Sequence, residues 1–289
     1  MKVASVTVTY NPDINVLTSQ LESLRGQVDI LLIVDNGSDE SAEIEKISKE
    51  FGVIYIPLEE NKGLAYAQNI GVIDAKKIGA EYVLLLDQDS ILTSGFVNNM
   101  HSIYVGNKVD ILGPVFFDPD TNVFYKGTNY FGPFLNTQIV GNLTDVTFVI
   151  ASGSFFSIEV FDRVGPMNED LFVDYIDVDW SLRAKNLGCR VAMTNSASMS
   201  HTIGDSRVSV FGRTISVHSP IRRYFLVRNS LFIIRQPYIP FGYKLREVCL
   251  NFARVIVSVF NTEEKLFTLS MAYKGFKDGL LGRFGPYRQ

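Results

Sequence analysis

The chain has 289 residues, 46% of them hydrophobic, and a formal net charge of −4. That length holds one large domain or a domain with an appendage, and the apolar content excludes a disordered chain. Its two cysteines, Cys189 and Cys249, form no C-x-x-C pair, which points to a reducing compartment and away from a structural zinc site.

The N-terminal residues 1–6 lack the apolar core and cleavage site of a signal peptide and read as the start of a strand. No segment approaches the roughly 18 uninterrupted apolar residues of a spanning helix. Residues 3–9 are rich in β-branched side chains and predict a buried strand, stopped by Asn11-Pro12. Ile14, Leu17, Leu21 and Leu24 recur at helical spacing and predict a helix ending near Gly26. Residues 30–34 predict a second strand, closed by Asp35-Asn36-Gly37-Ser38. Ser38 or Ser41 is the expected cap of the next helix, Glu40 and Glu43 suit its dipole, and Ile44 and Ile47 share its inner face. A third strand is expected over 53–57. Asn61-Lys62-Gly63 opens a helix through Ala65, Ala67, Ile70 and Ile73, and a fourth strand covers 82–86.

Strand and helix thus alternate through four strands, which predicts an α/β layer with a mixed, mainly parallel sheet. Residues 111–149 read as short, partly antiparallel strands and loops. An apolar run over 148–158 is interrupted by Ser152-Gly153-Ser154. A helix over 178–187 stops at Gly188, a last strand covers 190–193, and the chain beyond Pro220 is mostly helical. The expected division is a catalytic domain over 1–220 and a basic helical region over 221–289.

Ligands of an open α/β sheet bind at the carboxyl ends of its strands. Four polar clusters fall there: Thr9-Tyr10-Asn11, Asp35 to Ser38, Glu59 to Gly63, and Asp87-Gln88-Asp89. Asp35 could accept from a base N–H or a ribose hydroxyl, or close an Asx-turn. Lys62-Gly63 could offer backbone N–H groups to phosphate or ribose, or simply start a helix. Asp87 and Asp89 follow the run Tyr82-Val83-Leu84-Leu85-Leu86. Two carboxylates this close call for a counter-charge, and a hard divalent cation serving a phosphate would supply it. The plainer reading has them cap a helix or face water. The motifs of dinucleotide folds and of P-loops are both absent.

A second acidic cluster is Asp174-Tyr175-Ile176-Asp177-Val178-Asp179-Trp180. Asp177 falls at the expected helix start, where the dipole favours its anion and a carboxylate can take a proton from a hydroxyl. His201, after the last strand, is either structural or a further metal ligand, since imidazole can accompany oxygen ligands. His101 and His218 have no such setting.

Thr9-Tyr10-Asn11-Pro12, Val34-Asp35-Asn36-Gly37-Ser38, Asn61-Lys62-Gly63 with Asn69-Ile70-Gly71, Leu86-Asp87-Gln88-Asp89-Ser90 and Asp177-Val178-Asp179-Trp180 stand in the order of glycosyltransferase family 2. The chain resembles that family over residues 1 to about 205. Around Arg223-Tyr224-Phe225 and Lys274-Gly275-Phe276 it is similar to the bacterial dTDP-rhamnose-dependent rhamnosyltransferases. The resemblance implies a GT-A fold and inverting transfer from a nucleoside-diphosphate sugar, dTDP-L-rhamnose, to a glycan or undecaprenyl-linked acceptor of cell-surface polysaccharide. It implies that Asp35 reads the base with Thr9, Tyr10 and Asn11 nearby, that Asn61, Gly63 and Asn69 line the nucleoside pocket, and that Asp87 and Gln88 lie near ribose. It further implies that Asp89 and His201 hold Mg²⁺ or Mn²⁺, that Gly153 floors the sugar pocket, and that Asp177 is the base. Relatives often carry Glu-Asp where this chain has Ile176-Asp177, so Asp174, Asp177 and Asp179 all stand as candidates.

Two other functions fit parts of the pattern. An Mg-dependent Asp-x-Asp phosphohydrolase also places its pair at a strand end, but on the first strand, whereas three strands precede the pair here. A non-catalytic sugar-nucleotide or membrane-surface module leaves Asp177 and His201 without a role.

The charge is unevenly spread. Residues 221–289 carry twelve Lys/Arg against four Asp/Glu, a net +8, which leaves −12 on the first 220 residues. A basic, apolar-rich tail predicts contact with anionic lipid rather than nucleic acid, unless it simply caps the acidic body. This places the protein in the cytoplasm, peripheral on the inner face of the membrane. The same aromatic-rich tail offers a surface for pairing as a homo-oligomer.

Overall fold

Every residue of β1 (Val3–Thr9) is buried, as expected of a strand whose side chains are all apolar or small hydroxyls and whose two faces are both covered. The computed structural model describes residues 1–118, 123–200, 206–210, 213–217 and 219–287. After β1 come α1 (Ile14–Leu24), β2 (Ile30–Asp35), α2 (Ser41–Phe51), β3 (Ile54–Pro57), α3 (Leu64–Lys77) and β4 (Tyr82–Asp87). The alternation read from the sequence is therefore present, in mainly parallel register: β1 pairs with β2 and β4, and β2 with β3.

The next stretch holds β5 (Ile91–Leu92), α4 (Phe96–Asn107), β6 (Ile111–Phe117), a hairpin of β7 (Gly127–Phe131) and β8 (Phe134–Gln138), then β9 (Thr144–Asp145) and β10 (Phe155–Ser157). It closes with α5 (Ile158–Val164), α6 (Ile176–Asn186) and β11 (Val191–Ser200). The main sheet runs β3-β2-β1-β4-β10-β6-β11-β5, with β9 also on β11. β10 is antiparallel to both β4 and β6, and β6 and β11 are parallel.

Local chemistry explains most element ends. Asp13 caps α1, its Oδ1 accepting from Asn15 N at 2.8 Å and Val16 N at 3.2 Å. The expected serine cap of α2 is not made: Glu40 occupies that position without a side-chain hydrogen bond. Ser38 Oγ instead accepts from Asn11 N at 2.8 Å and donates to Asp35. The last strand is longer than residues 190–193, since a bulge between Thr194 and Ser198 lets pairing with β6 resume. Gly71 lets α3 lie against β1, as a Cβ there would sit 2.2 Å from Val6 Cγ1.

By contact density the chain divides into two compact units. The first comprises Met1–Asn129, Thr137–Glu169 and Ile176–Thr202, and the second Tyr130–Asn136, Asp170–Tyr175 and Ile203–Gln289. The second unit is built on the strand pair β12 (Ser206–Val210) and β13 (Arg213–Val217), followed by α7 (Pro220–Ile233), α8 (Phe241–Phe260) and α9 (Lys265–Leu281). Gly275 and Gly279 bring α9 close to α7; a Cβ on Gly275 would lie 2.4 Å from Tyr224 O. Among the described residues no helix is long and apolar enough to cross a membrane.

Candidate active site

The register of the parallel strands brings their carboxyl ends together. Thr9 lies beside Asp35, Asp35 beside Pro57, and Asp87 beside Val8. The polar clusters that follow these strands therefore share one edge of the first unit.

Asp35 is completely buried. Thr9 Oγ1 donates to its Oδ1 at 3.1 Å, Ser38 Oγ donates to the same oxygen, and Tyr55 OH donates to Oδ2 at 3.0 Å. Burial and then the Asp35 carboxylate hold the Tyr55 phenol well above its usual range, so Tyr55 remains a donor. Three hydroxyls thus occupy a carboxylate expected to read a base, and Asp35 shapes the site wall through them. Asn11, in the left-handed region at φ 45°, donates its N–H to Ser38 Oγ at 2.8 Å and accepts from Asp39 N at 2.8 Å. Tyr10 is exposed, and its N–H donates to Gln88 Oε1 at 2.8 Å, joining the end of β1 to the loop after β4.

Asn36, which the sequence did not single out, links the second and third clusters. Its Nδ2 donates to Asn61 Oδ1 at 3.1 Å and its Oδ1 accepts from Lys62 N at 2.9 Å. Asn61 Oδ1 also takes the N–H of Gly63 at 3.0 Å. The loops can approach because Gly37 has no side chain: a Cβ would stand 2.6 Å from the Glu60 carbonyl carbon. Asn69 does not face this edge. It is buried, with Nδ2 bonded to Met167 O at 2.9 Å and Glu169 Oε1 at 2.8 Å, and its Oδ1 accepting from Met167 N at 2.8 Å. Asn69 is a clamp between α3 and the segment before α6.

Asp87, Gln88 and Asp89 are half-buried where β4 leaves the core. The main chain there is held from two sides. Ser152 Oγ accepts from Asp87 N at 3.1 Å and lies 2.6 Å from Ser90 Oγ, while Gln20 Nε2 donates to Asp87 O. Gly153 has φ 81°, and a Cβ would lie 2.6 Å from Pro114 Cγ. It turns the chain so that Ser152 reaches Asp87. Among the described residues no group of three or more His, Cys, Asp or Glu side chains is placed to hold a metal ion. His201 lies outside the described residues.

The three aspartates near α6 have different surroundings. Asp179 is fully buried and paired with Arg183, 3.5 Å from Nη2. Asp174, in the second unit, is bound by Arg222 at 3.0 and 3.2 Å. Asp177 stands half-buried in the first turn of α6. It lines a small cavity with Leu85, Ala151, Ser154 and Trp180. Leu85 is two residues before Asp87 on β4 and so on the same sheet face. Leu85 of β4, Ser154 of the turn and Asp177 therefore line one cavity within the first unit, and Ser152 of the same turn accepts from Asp87 N.

Arg223 and Arg228 of α7 are buried, while Arg222 is partly exposed. Arg228 is buried, and its Nη2 donates to Asp170 O at 3.1 Å and Leu171 O at 3.0 Å. An arginine committed to carbonyls and packed 4.8 Å over the Phe225 ring is a structural brace.

A model of glycosyl transferase family 2 matches residues 5–165. A dTDP-rhamnosyl transferase of Shigella flexneri, RfbF, is 34% identical over 99% of this chain and 98% of its own. A low-salt glycan biosynthesis hexosyltransferase of Haloferax volcanii, Agl10, is 23% identical over 70% of this chain and 67% of its own. Among solved structures, S. aureus TarS 1–349 in complex with UDP-GlcNAc has a TM-score of 0.60 at 17% identity, covering 97% of this chain and 81% of that one. GalNAc-T7 with UDP, GalNAc and Mn²⁺ gives 0.63 at 14% identity, with this chain spanning 56% of its length. At these identities the structural likeness shows the fold, a GT-A type α/β domain with C-terminal helices.

Proposed function

The chain belongs to glycosyl transferase family 2, and on that footing we propose that it moves L-rhamnose, with inversion, from dTDP-L-rhamnose to a hydroxyl of a glycan carried on an undecaprenyl-type lipid. It is a glycosyltransferase by family. The choice of donor is supported by the full-length relative described as a dTDP-rhamnosyl transferase. The observation that supports the chemistry is a cavity lined by Leu85 of β4, Ser154 and Asp177, beside the turn whose Ser152 is tied to Asp87 N.

Asp177 accepts the proton of the acceptor hydroxyl. The freed oxygen attacks the anomeric carbon on the face opposite the diphosphate. The bond to the diphosphate breaks and its electron pair leaves with the phosphate oxygen, so the configuration inverts. The N-terminal turn of α6 favours Asp177 as an anion beforehand. Asp179 and Asp174 are paired with arginines, whereas Asp177 lines the cavity. Asp87 and Asp89 offer the hard oxygen donors that Mg²⁺ or Mn²⁺ prefers, and such ions commonly use one or two carboxylates with substrate phosphates. When bound there the cation offsets charge gathering on the leaving diphosphate. His201 is the proposed additional ligand. The phosphohydrolase reading gains nothing here, because the Asp pair follows the fourth strand.

The test is a thermal-shift panel of nucleotide sugars with and without Mn²⁺, followed by transfer assays. A donor held at 100 times its Kd stabilises the folded protein by about 2.7 kcal/mol, and dTDP-L-rhamnose with Mn²⁺ is expected to give the largest shift. A flat panel with no transfer from any nucleotide sugar would end the proposal. An equal shift without metal would remove Asp89 from the ligand role.

The helical region is proposed to rest on the anionic inner leaflet. Phe241, Leu245, Val248, Phe252, Ile256 and Phe260 are exposed along α8 at steps of three and four residues, and Leu266, Leu269, Tyr273, Phe276 and Leu280 repeat the pattern on α9. Lys265, Lys274 and Lys277 are exposed beside the second stripe. Apolar stripes edged by lysine suit a bilayer interface better than a protein partner. Phe252→Ser with Phe260→Ser is expected to release the protein from vesicles containing phosphatidylglycerol in a flotation assay, without changing its melting temperature by more than a degree or so. Undiminished flotation, or a wild-type dimer that ignores vesicles, would overturn this reading.

A further inference from the structure

We propose that Gln68 reads one hydroxyl of the donor sugar, through the small cavity that it shares with Asp177; the inference rests on the transferase reading above. Gln68 projects from α3 and is 3% exposed. Its carboxamide oxygen is buried and has no hydrogen-bond partner. A buried amide acceptor left unmatched costs free energy, and native proteins seldom keep one without a use. The neighbouring amide of Asn69 shows the contrast, with its carboxamide bound at both ends.

The cavity measures about 10 Å³, room for one water or one hydroxyl and no more. Its walls combine the apolar Leu85, Met167, Ile176 and Trp180 with the polar Ser154, Asp177 and Ser181. Gln68 Oε1, unmatched within the protein, can take a hydrogen bond from a single O–H that enters. A phosphate oxygen carries no proton to give to Oε1 and would meet the Asp177 carboxylate as well, so the diphosphate is not the group received. A base is too large to enter. Leu85 and Asp87 share one face of β4, so the cavity lies beneath the strand end assigned to the diphosphate. The group tethered next to that diphosphate is the donor sugar. In the unliganded protein a single water fits the same space, and the sugar hydroxyl would replace it.

Gln68→Met keeps the length of the side chain and removes its polar atoms. Affinity is measured by calorimetry for dTDP-L-rhamnose and for dTDP, each with Mn²⁺, alongside the melting temperature of the unliganded protein. The variant is expected to bind dTDP-L-rhamnose at least tenfold more weakly and dTDP within twofold of the wild type. Its unliganded melting temperature should be equal or higher, since an unmatched polar group has gone. Equal affinity of variant and wild type for dTDP-L-rhamnose overturns the inference, whether the hydroxyl belongs to water alone or to an acceptor. Parallel loss for both ligands also overturns it, because the effect would not belong to the sugar. Should Gln68→Met fail to fold, Gln68→Asn, which withdraws the amide by one methylene, is read in the same way. A wild type that binds dTDP but transfers sugar from no nucleotide donor sinks the transferase reading, and this inference with it. Normal transfer by the wild type with no difference in Gln68→Met sinks this inference alone.

Discussion

Asp177→Asn is expected to lower kcat by about 10²- to 10⁴-fold, the usual contribution of a positioned general base. Asparagine keeps the size of the side chain and its place in the first turn of α6, but it cannot hold the proton of the acceptor hydroxyl. Donor affinity should stay within about twofold, because asparagine has the shape of aspartate and the proposed donor contacts are made by other residues, at the ends of β1, β2 and β4 and by Gln68. The neighbouring aspartates give the control. Asp179 is fully buried against Arg183, so Asp179→Asn should act first on stability, by roughly 3–5 kcal/mol if the arginine is left without its partner. Steady-state kinetics with dTDP-L-rhamnose, paired with urea melts, separate the two outcomes. An Asp177→Asn enzyme turning over within tenfold of the wild type removes Asp177 from the role of base.

What the sequence made legible was whatever local pattern alone decides. The β-branched runs announced β1, β2 and β4, and the polar residues after them announced a binding edge, because strand ends in an α/β sheet have only one direction in which to face a ligand. The start of α6 was legible for a similar reason, although the helix opens at Ile176 rather than at Asp177. Side-chain pairing across distant segments was not. Asn36 and Tyr55 look like ordinary loop and strand residues, yet one joins the loops after β2 and before α3 and the other covers Asp35. Nothing near either position in the chain names its partner. The same holds for Asn69, whose motif suggested a ligand contact and whose amide turns to Met167, 98 residues on. Ser38 shows competition for one oxygen: a serine before a helix reads as a cap, but its Oγ accepts from Asn11 N, 27 residues earlier, while its hydrogen goes to Asp35. The basic tail was legible as charge, not as structure, since net charge does not reveal that Arg228 points inward while Lys265 and Lys277 point out.

Asn229→Asp should damage the enzyme at least as much as Asn229→Ala. The residues ahead of α6 adopt an unusual course. Phe172, Asp174 and Tyr175 all have positive φ, at 63°, 63° and 66°, a conformation that costs of order 1–3 kcal/mol for each non-glycine residue and persists only where its surroundings impose it. The imposing group is the amide of Asn229 on α7. Its Nδ2 lies 2.8 Å from Leu171 O, 2.7 Å from Val173 O and 3.1 Å from Asp174 O. Arg228 adds its own bonds to Asp170 and Leu171, and Phe172 stacks on Phe225 at 5.1 Å. Alanine would leave these carbonyls short of a donor, for an expected loss of about 2–4 kcal/mol in a urea melt. Aspartate keeps the shape but turns a carboxylate toward three carbonyl oxygens, so repulsion is added to the lost bonds. Because Ile176 and Asp177 follow this segment directly in the chain, loss of its course should also lower kcat while the melting curve still shows a folded protein at assay temperature. An Asn229→Asp variant as stable and as active as the wild type would mean that the carbonyls do not depend on this donor, and that the loop holds its conformation by packing alone.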